Sequence, residues 1–153
     1  MSVFFIDTSV LCNIIPVPGR DSDRGAVIEE LQQRTAARDV LILPVTAVIE
    51  TGNFIAHIPD GHQRREAALR LAAHLQLAAN GQAPYIFHDF SWDPEFVQRL
   101  IEGANTGQNF VEHAVGGLGA GDLLILAEID AYRARTRLEV HLWTRDHQLA
   151  SFA

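Results

Sequence analysis

Short apolar runs alternate along this chain with segments of helical character, and this alternation restricts its fold more than any other feature. Runs of this kind are typical of strands that are covered on both faces of a sheet. They occupy residues 3–6, 39–44 and 138–144, and another strand is expected within residues 84–90. Strands that alternate with helices are joined by βαβ crossovers, which produce parallel pairing. We therefore predict an α/β fold with a mainly parallel central sheet.

Helices are predicted between these strands from apolar periodicity, capping residues and ion pairs at helical spacing. They cover residues 21–38, 44–57, 62–80, 93–103, 121–137 and 145–153. The glycine-rich segment 105–121 is expected to be the least ordered part, with one helical turn near residues 110–113. A length of 153 residues fits one domain, which we predict over residues 1–153.

Acidic residues stand where a predicted strand ends or a predicted helix begins. Asp7 ends the first strand, Asp146 follows the fourth, and Asp122 opens a buried helix after the glycine-rich segment. Glu50 lies in the helix after the second strand. Ligands of open α/β sheets bind outside the carboxyl ends of the strands, and we expect these elements to bring the four acids to that edge. Clustered carboxylates repel one another unless one is protonated or a cation binds, and hard oxygen ligands suit Mg²⁺ or Mn²⁺.

Each acid also has a structural explanation, which the sequence leaves open. Asp7 is suited to cap a short helix over residues 8–15, Asp122 to cap its own helix, and Asp146 to occupy a turn or a cap. Glu50 belongs to a polar stripe on an otherwise apolar helix, and that stripe faces either water or a polar site. The other members of the stripe, at helical spacing, are Thr46, Asn53 and His57.

Residue types that the chain lacks exclude several other α/β sites. All twelve basic residues are arginine, so neither a P-loop nor a site that pairs a reactive aspartate with lysine fits. The glycines of residues 116–121 do not follow the dinucleotide pattern G-x-G-x-x-G. Cys12 is the only cysteine, which excludes an internal disulfide and a thiolate zinc cluster. The seven histidines form no H-x-x-x-H or H-E-x-x-H pair, and Ser9 has no base at a motif spacing.

Charge and hydropathy narrow the expected partners and location. The formal net charge of −7 argues against nonspecific adhesion to nucleic acid, but it is compatible with a local arginine patch and with acids neutralised by bound metal. No apolar run approaches the ~18 residues of a membrane span. The N-terminal residues lack the basic region of a secretory signal. We therefore expect a soluble cytoplasmic protein without a membrane partner.

Motifs around the four acids carry a family resemblance. They are FFIDTSVL around Asp7, TAVIETGNF around Glu50, GAGDLLILAEI around Asp122 and LWTRDHQLASF around Asp146. With these motifs in this order over nearly its whole length, the chain resembles the PIN-domain nucleases, in particular the small bacterial VapC-like toxins. The resemblance implies an α/β/α sandwich that forms a single PIN-like domain. It also implies a divalent-metal endoribonuclease, commonly a homodimer, that a cognate antitoxin restrains.

The resemblance also implies roles for individual residues. The acidic metal pocket would consist of Asp7, Glu50, Asp122 and Asp146, with Thr8 and Thr144 as supporting polar neighbours. In a Mg²⁺- or Mn²⁺-dependent hydrolase of phosphodiesters, Asp7 and Asp122 would be direct ligands of the cation. Asp146 would hold a second metal or a coordinated water, and Glu50 would ligate the metal or orient the attacking water.

Arginines are the candidates for contact with the RNA backbone. Arg145 lies beside the site in sequence, Arg64 and Arg65 open a helix, and a third group comprises Arg133, Arg135 and Arg137.

Two departures from the family are expected to affect the substrate groove. The segment 105–121 is long and glycine-rich, and the chain ends seven residues after Asp146, so a terminal strand common in the family is short or missing.

Two other functions remain open at this point. One is a catalytically inert PIN-like module that binds a protein or RNA, although the presence of all four acids argues against loss of the site. The other is a structure-specific DNase on a related scaffold.

Overall fold

A four-stranded sheet in which every neighbouring pair is parallel forms the centre of the fold. The computed structural model describes residues 1–153. Its strands are β1 (Val3–Ile6), β2 (Val40–Ile42), β3 (Tyr85–Ile86) and β4 (Val140–Trp143). They lie in the order β3-β2-β1-β4. The prediction of a mainly parallel α/β sheet is confirmed, and each strand falls inside its predicted run.

Eight helices connect and flank the strands. They are α1 (Thr8–Ile14), α2 (Arg24–Ala36), α3 (Val45–Ala56), α4 (Gly61–Ala79), α5 (Pro94–Ile101), α6 (Phe110–Val115), α7 (Ala120–Arg133) and α8 (His147–Ala150). Each corresponds to a segment for which a helix or a helical turn is expected, with ends that differ by a few residues. None of them combines the length and the hydropathy that crossing a membrane requires.

The register of the sheet brings the carboxyl ends of β1 and β4 together. Val3 is paired with Val140, and Ile6 is paired with Trp143. Asp7 continues this ladder for one more residue, because its backbone N–H donates to the carbonyl of Trp143 at 3.0 Å. The first residue after β1 therefore lies at the carboxyl edge of the sheet, beside the loop that follows β4.

Helices cover both faces of the sheet and make the expected α/β/α sandwich. Successive residues of a strand point to opposite faces, and Phe5 and Ile6 are both fully buried in different hydrophobic clusters. Ile6 packs among residues of α1, α2, α3 and α4. Phe5 packs with Ile125 and Ile129 of α7. Full burial stabilises the fold by roughly 1.5–3 kcal/mol for each large apolar side chain, so apolar contacts hold both helical layers to the sheet.

The segment 105–121 is better ordered than its glycine content predicts. Helix α6 begins with a capping box in which Asn109 and Glu112 satisfy each other's backbone N–H groups. His113 is buried, and its Nε2 lies 2.6 Å from the Thr106 hydroxyl. Gly103, at φ +89°, lets the loop close, because a Cβ there would lie 1.6 Å from the carbonyl oxygen of Gln108. The expectation of a loose segment is therefore wrong, since these polar contacts are not visible as apolar periodicity.

Candidate functional site

The four predicted acids line one cavity at the carboxyl edge of the sheet. Asp7, Glu50, Asp122 and Asp146 all border this cavity of about 600 Å³. Its volume lies in the range of small-ligand sites, which is roughly 300–1,000 Å³. The acids come from the ends of β1 and β4 and from two helices, so the parallel topology brings together residues that are up to 139 positions apart, from 7 to 146.

Asp7 is the most buried of the four acids, with 3% of its surface exposed. It caps α1, because its Oδ2 accepts hydrogen bonds from the backbone N–H of Ser9 at 3.3 Å and the Ser9 hydroxyl at 2.7 Å. The hydroxyl of Thr144 donates to the same oxygen at 2.8 Å. Oδ1 is buried and has no hydrogen-bond partner. The capping role suggested by the sequence is real, and it leaves one oxygen of a buried carboxylate available to a ligand.

Asp122 lies in the first turn of α7 and does not cap it. The residue at the N-cap position is Gly119, and no side chain caps this helix. Burial, together with the smaller effect of the negative charges of Asp7, Glu50 and Asp146, raises the pKa of Asp122 to about 7. The capping explanation for Asp122 is therefore wrong. Its carboxyl group lies in a region where additional negative charge is unfavourable.

Glu50 reaches the cavity from α3. The hydroxyl of Thr8 donates to its Oε2 at 2.7 Å. Its Oε1 lies against α7, since a Cβ built on Gly121 would be only 2.0 Å from that oxygen. Asn53, one turn further along α3, also lines the cavity. Two members of the polar stripe, Glu50 and Asn53, therefore border a polar cavity, while Asn53 and His57 are also exposed to water.

Asp146 is the most exposed of the four acids and has a structural role as well. Its Oδ1 caps α8 by accepting hydrogen bonds from the backbone N–H groups of Gln148 at 2.9 Å and Leu149 at 3.1 Å. Its own backbone N–H donates to the Thr144 hydroxyl at 3.0 Å. One carboxylate oxygen is thus used by the cap, while the residue still borders the cavity.

Ser9 links Asp7 to the loop after β4, and sequence reasoning missed this role. Besides its two contacts with Asp7, its Oγ accepts a hydrogen bond from the backbone N–H of Arg145 at 2.9 Å and lies 3.2 Å from the Thr144 hydroxyl. Ser9 therefore ties the loop after β4 to the end of β1. Its position two residues after Asp7 is the only sequence signal that could have indicated it.

Of the arginines named as candidates for RNA contact, only Arg145 lines the acidic cavity. Arg145 lines the acidic cavity, but its guanidinium group contacts Asp23 at 3.4 Å and Glu30 at 2.9 Å. Arg64 donates to the carbonyl of Ile58 at 3.1 Å and does not line the cavity. Arg65 is exposed on α4, also outside the cavity.

A third arginine group lies near the amino-terminal end of β4, away from the acidic cavity at the carboxyl ends of the strands. Arg133 is the last residue of α7, and Arg135 and Arg137 lie in the turn that leads to β4. Arg133 donates to the carbonyl of Val140 at 2.7 Å, and Arg135 donates to the carbonyl of Asp89 at 2.9 Å. Contact between these residues and a substrate in the cavity is therefore not favoured. Arg20, which sequence reasoning did not single out, does line it.

The oxygen-donor residue types of the cavity, but not the arrangement of its acids, match those of a site for a hard divalent cation. Carboxylate and hydroxyl oxygens are the ligand types that Mg²⁺ and Mn²⁺ prefer, and the buried Asp7 Oδ1 lacks any partner. No group of three or more His, Cys, Asp or Glu side chains has the mutual geometry of a metal site. Carboxylates without a counter-charge repel one another, so the acids share a cavity without converging on one point.

Comparisons with other proteins do not assign a function to this cavity. No protein-family model, no curated protein and no solved structure matches the chain.

Proposed function

We propose that this protein is a divalent-metal-dependent endoribonuclease that hydrolyses RNA phosphodiester bonds. The observation that supports this most is the surroundings of Asp7. A buried carboxylate with one unpartnered oxygen shares a cavity with four further acids, Asp23, Glu50, Asp122 and Asp146. The charges of Asp7, Glu50 and Asp146 help to raise the pKa of Asp122 to about 7. A cluster of this kind costs free energy unless positive charge enters it.

Asp7 and Asp122 would hold Mg²⁺ or Mn²⁺, with Glu50 and Asp146 at the border of the same site. When bound, the cation would neutralise phosphoryl oxygens and lower the pKa of a coordinated water. The protein's own residues prepare the site beforehand. The Ser9 and Thr144 hydroxyls donate to Oδ2 of Asp7 and hold it in place, while Oδ1 has no hydrogen-bond partner and would bind the cation.

Glu50 would ligate the cation or orient the attacking water. The hydroxyl of Thr8 holds its Oε2, and contact with Gly121 limits the positions of Oε1. A carboxylate held in this way can accept a proton from water without first reorganising. Asp146, which caps α8, can contribute its second oxygen to a coordinated water.

The biological setting follows from the resemblance to VapC-like toxins. On that basis we propose that the protein is the toxin of a type II toxin–antitoxin pair, forms a homodimer and acts on RNA in the cytoplasm. A cognate antitoxin would restrain it.

Cleavage by Asp7→Asn and Asp122→Asn variants tests the activity. We expect each to reduce the Mn²⁺-dependent cleavage rate of a single-stranded RNA about 1,000-fold, which corresponds to ~4 kcal/mol of barrier. Far-UV circular dichroism should show that both variants stay folded. Asp89→Asn is the matched control, because Asp89 is exposed and does not line the cavity.

Three results would contradict the proposal in different ways. Normal cleavage by Asp7→Asn would remove the acidic cavity as the site. Cleavage of matched DNA but not RNA would indicate the DNase alternative. Absence of cleavage together with absence of calorimetric Mn²⁺ binding at millimolar concentration would indicate an inert binding module.

A further inference from the structure

A second cavity continues from the acidic one and differs from it in charge. It measures about 860 Å³ and lies between the loop after α1, the end of α3 and the start of α4. Four residues border both cavities, namely Gly19, Arg20, Asn53 and Phe54. No aspartate or glutamate lines the second cavity. A polyanion whose reacting phosphate lies among the acids would therefore meet less repulsion if it extended in this direction.

Arg20 stands at the junction of the two cavities with its hydrogen-bond donors unused. Its guanidinium carbon lies 3.4 Å from the centre of the Phe54 ring. Stacking of this kind holds the guanidinium plane by cation–π attraction and leaves the N–H groups at its edge free. The side chain of Arg20 has neither an ion pair nor a hydrogen bond to another protein group. The donors of Arg145, by contrast, are engaged by two carboxylates.

The loop that carries Arg20 is a defined turn. The backbone N–H of Arg20 donates to the carbonyl of Val17 at 2.9 Å. Gly19 adopts φ +83°, a conformation that residues with a Cβ rarely adopt. The turn and the Phe54 ring together fix the guanidinium group before any ligand binds, which reduces the entropy lost on binding.

The remaining polar groups of the second cavity suit a nucleotide. Asn53, His57 and Gln63 present amide and imidazole groups there. The Nδ1 of His57 lies 2.7 Å from the carbonyl of Asn53, which orients the ring and leaves Nε2 for a ligand. Recognition of single-stranded RNA commonly combines arginine contacts to phosphate with side-chain hydrogen bonds to unstacked bases.

We propose that the second cavity binds the nucleotide that flanks the cleaved bond of a single-stranded RNA. Arg20 binds the phosphate of that nucleotide through its free N–H edge, and Phe54 positions the guanidinium group. This inference rests on the proposed nuclease function, since it takes the acidic cavity as the place of the reacting phosphate.

A measurement of oligonucleotide binding tests this inference independently of the nuclease activity. Fluorescence anisotropy with a labelled single-stranded RNA is measured in the Asp7→Asn background, where all variants have the same altered acidic cavity. We expect Arg20→Ala to weaken binding about tenfold and to reduce the slope of log K against log salt by about one. Arg20→Lys should recover part of the affinity, because it keeps the charge but not the planar stack. Arg137→Ala is the charge-matched control, on an exposed residue at the opposite edge of the sheet.

Cleavage kinetics in the Asp7 form give the second readout. Arg20→Ala should raise KM for the RNA with little change in kcat, whereas Arg137→Ala should change neither value. Equal RNA affinities of Arg20→Ala and Arg137→Ala would overturn the inference, as would tighter binding to a protein partner with no binding to RNA. If RNA binds in an Arg20-dependent way but is never cleaved, the binding site stands and the nuclease function fails.

Discussion

Two buried carboxylates in this molecule have opposite surroundings. Glu128, in the middle of α7, has no exposed side-chain surface, and a hydrogen bond of 3.1 Å joins its Oε1 to the Nε2 of His88. Asp7 is almost as buried, but it shares its cavity with four other acids. The His88 ring in turn packs against aromatic rings, those of Phe5, Phe90 and Tyr132.

The comparison shows which of these features points to an external ligand. Both residues have one buried oxygen without a hydrogen-bond partner, Asp7 Oδ1 and Glu128 Oε2. An unpartnered oxygen therefore does not distinguish them. Glu128 has a basic partner from its own chain, whereas Asp7 forms no ion pair: its Oδ2 accepts hydrogen bonds from two hydroxyl groups and from the backbone N–H of Ser9, and other acids line the same cavity. A buried charge that its own chain does not compensate requires compensation from outside, and this is the reason to assign the cation to the Asp7 cavity.

The largest expected difference between Asp7 and Glu128 is in how much each stabilises the fold of the metal-free protein. Glu128→Ala should lower the free energy of unfolding by about 3 kcal/mol, because it leaves His88 without a partner and opens a cavity. Asp7→Asn should change it little, since asparagine keeps an acceptor for the cap and removes one repelling charge. Urea unfolding followed by circular dichroism measures both. A loss from Asp7→Asn as large as that from Glu128→Ala would make Asp7 primarily structural.

A divalent cation should stabilise the protein by binding in the Asp7 cavity and not near Glu128. At a Mn²⁺ concentration 100 times the dissociation constant, binding adds ~2.7 kcal/mol to the free energy of unfolding. Thermal unfolding with and without Mn²⁺ should show this gain in the wild type and in Glu128→Gln, and should show its loss in Asp122→Asn. If Glu128→Gln also loses the gain, the cation binds near His88 and the assignment is reversed.

The pH dependence of stability should reveal the repulsion in the acidic cavity. The pKa of Asp122 is raised from 3.8 to about 7 in the metal-free fold, so between these values the native state binds more protons than the unfolded chain. The contribution of Asp122 to the free energy of unfolding therefore decreases as pH rises from about 4 to 7 and is constant above.

Asp122→Asn removes this contribution and provides the measurement. Relative to the wild type, the variant should gain roughly 1–2 kcal/mol between pH 4 and pH 8, less than the full shift would give because solvent screens a half-buried carboxyl group. Unfolding midpoints over this range, without divalent cations, test the effect. A constant difference between the two proteins would mean that Asp122 ionises normally.

The smallest expected effect concerns how each carboxylate is positioned. Glu128 is held by His88, whereas Glu50 is held by Thr8 and by the absence of a side chain at Gly121. Gly121→Ala would place a methyl group 2.0 Å from the present Oε1 of Glu50 and force it to move. We expect about a tenfold fall in kcat, or ~1.4 kcal/mol, with little loss of stability because the end of a flexible side chain moves.

Gly119→Ala is the matched control for this change, because a Cβ at Gly119 meets nothing within 4 Å and its φ is −68°. Equal kcat values for the two alanine variants would show that Gly121 does not position Glu50.

Much of the fold and the acidic cavity could be predicted from local patterns. Four apolar runs predicted four strands, and parallel pairing then required that Asp7 and Asp146 emerge at the same edge. The hydroxyl contacts of Thr8 and Thr144 also agree with their expected positions next to Glu50 and Asp7.

The contacts that sequence reasoning missed are made between distant parts of the chain or depend on rotamers. Arg145 lies next to Asp146 in sequence, yet its pairing with Asp23 and Glu30 spans 122 and 115 residues. Arg20 was overlooked because its stack on Phe54 depends on how a loop turns over α3.

The sequence by itself determined the alternation of strands and helices and the placement of acids at their ends, because burial and capping act over a few neighbouring residues. Only the tertiary structure decided which charges are compensated. Compensation depends on which side chains from remote segments lie within a few ångströms. This difference in charge compensation separates Asp7 from Glu128 and Arg20 from Arg145.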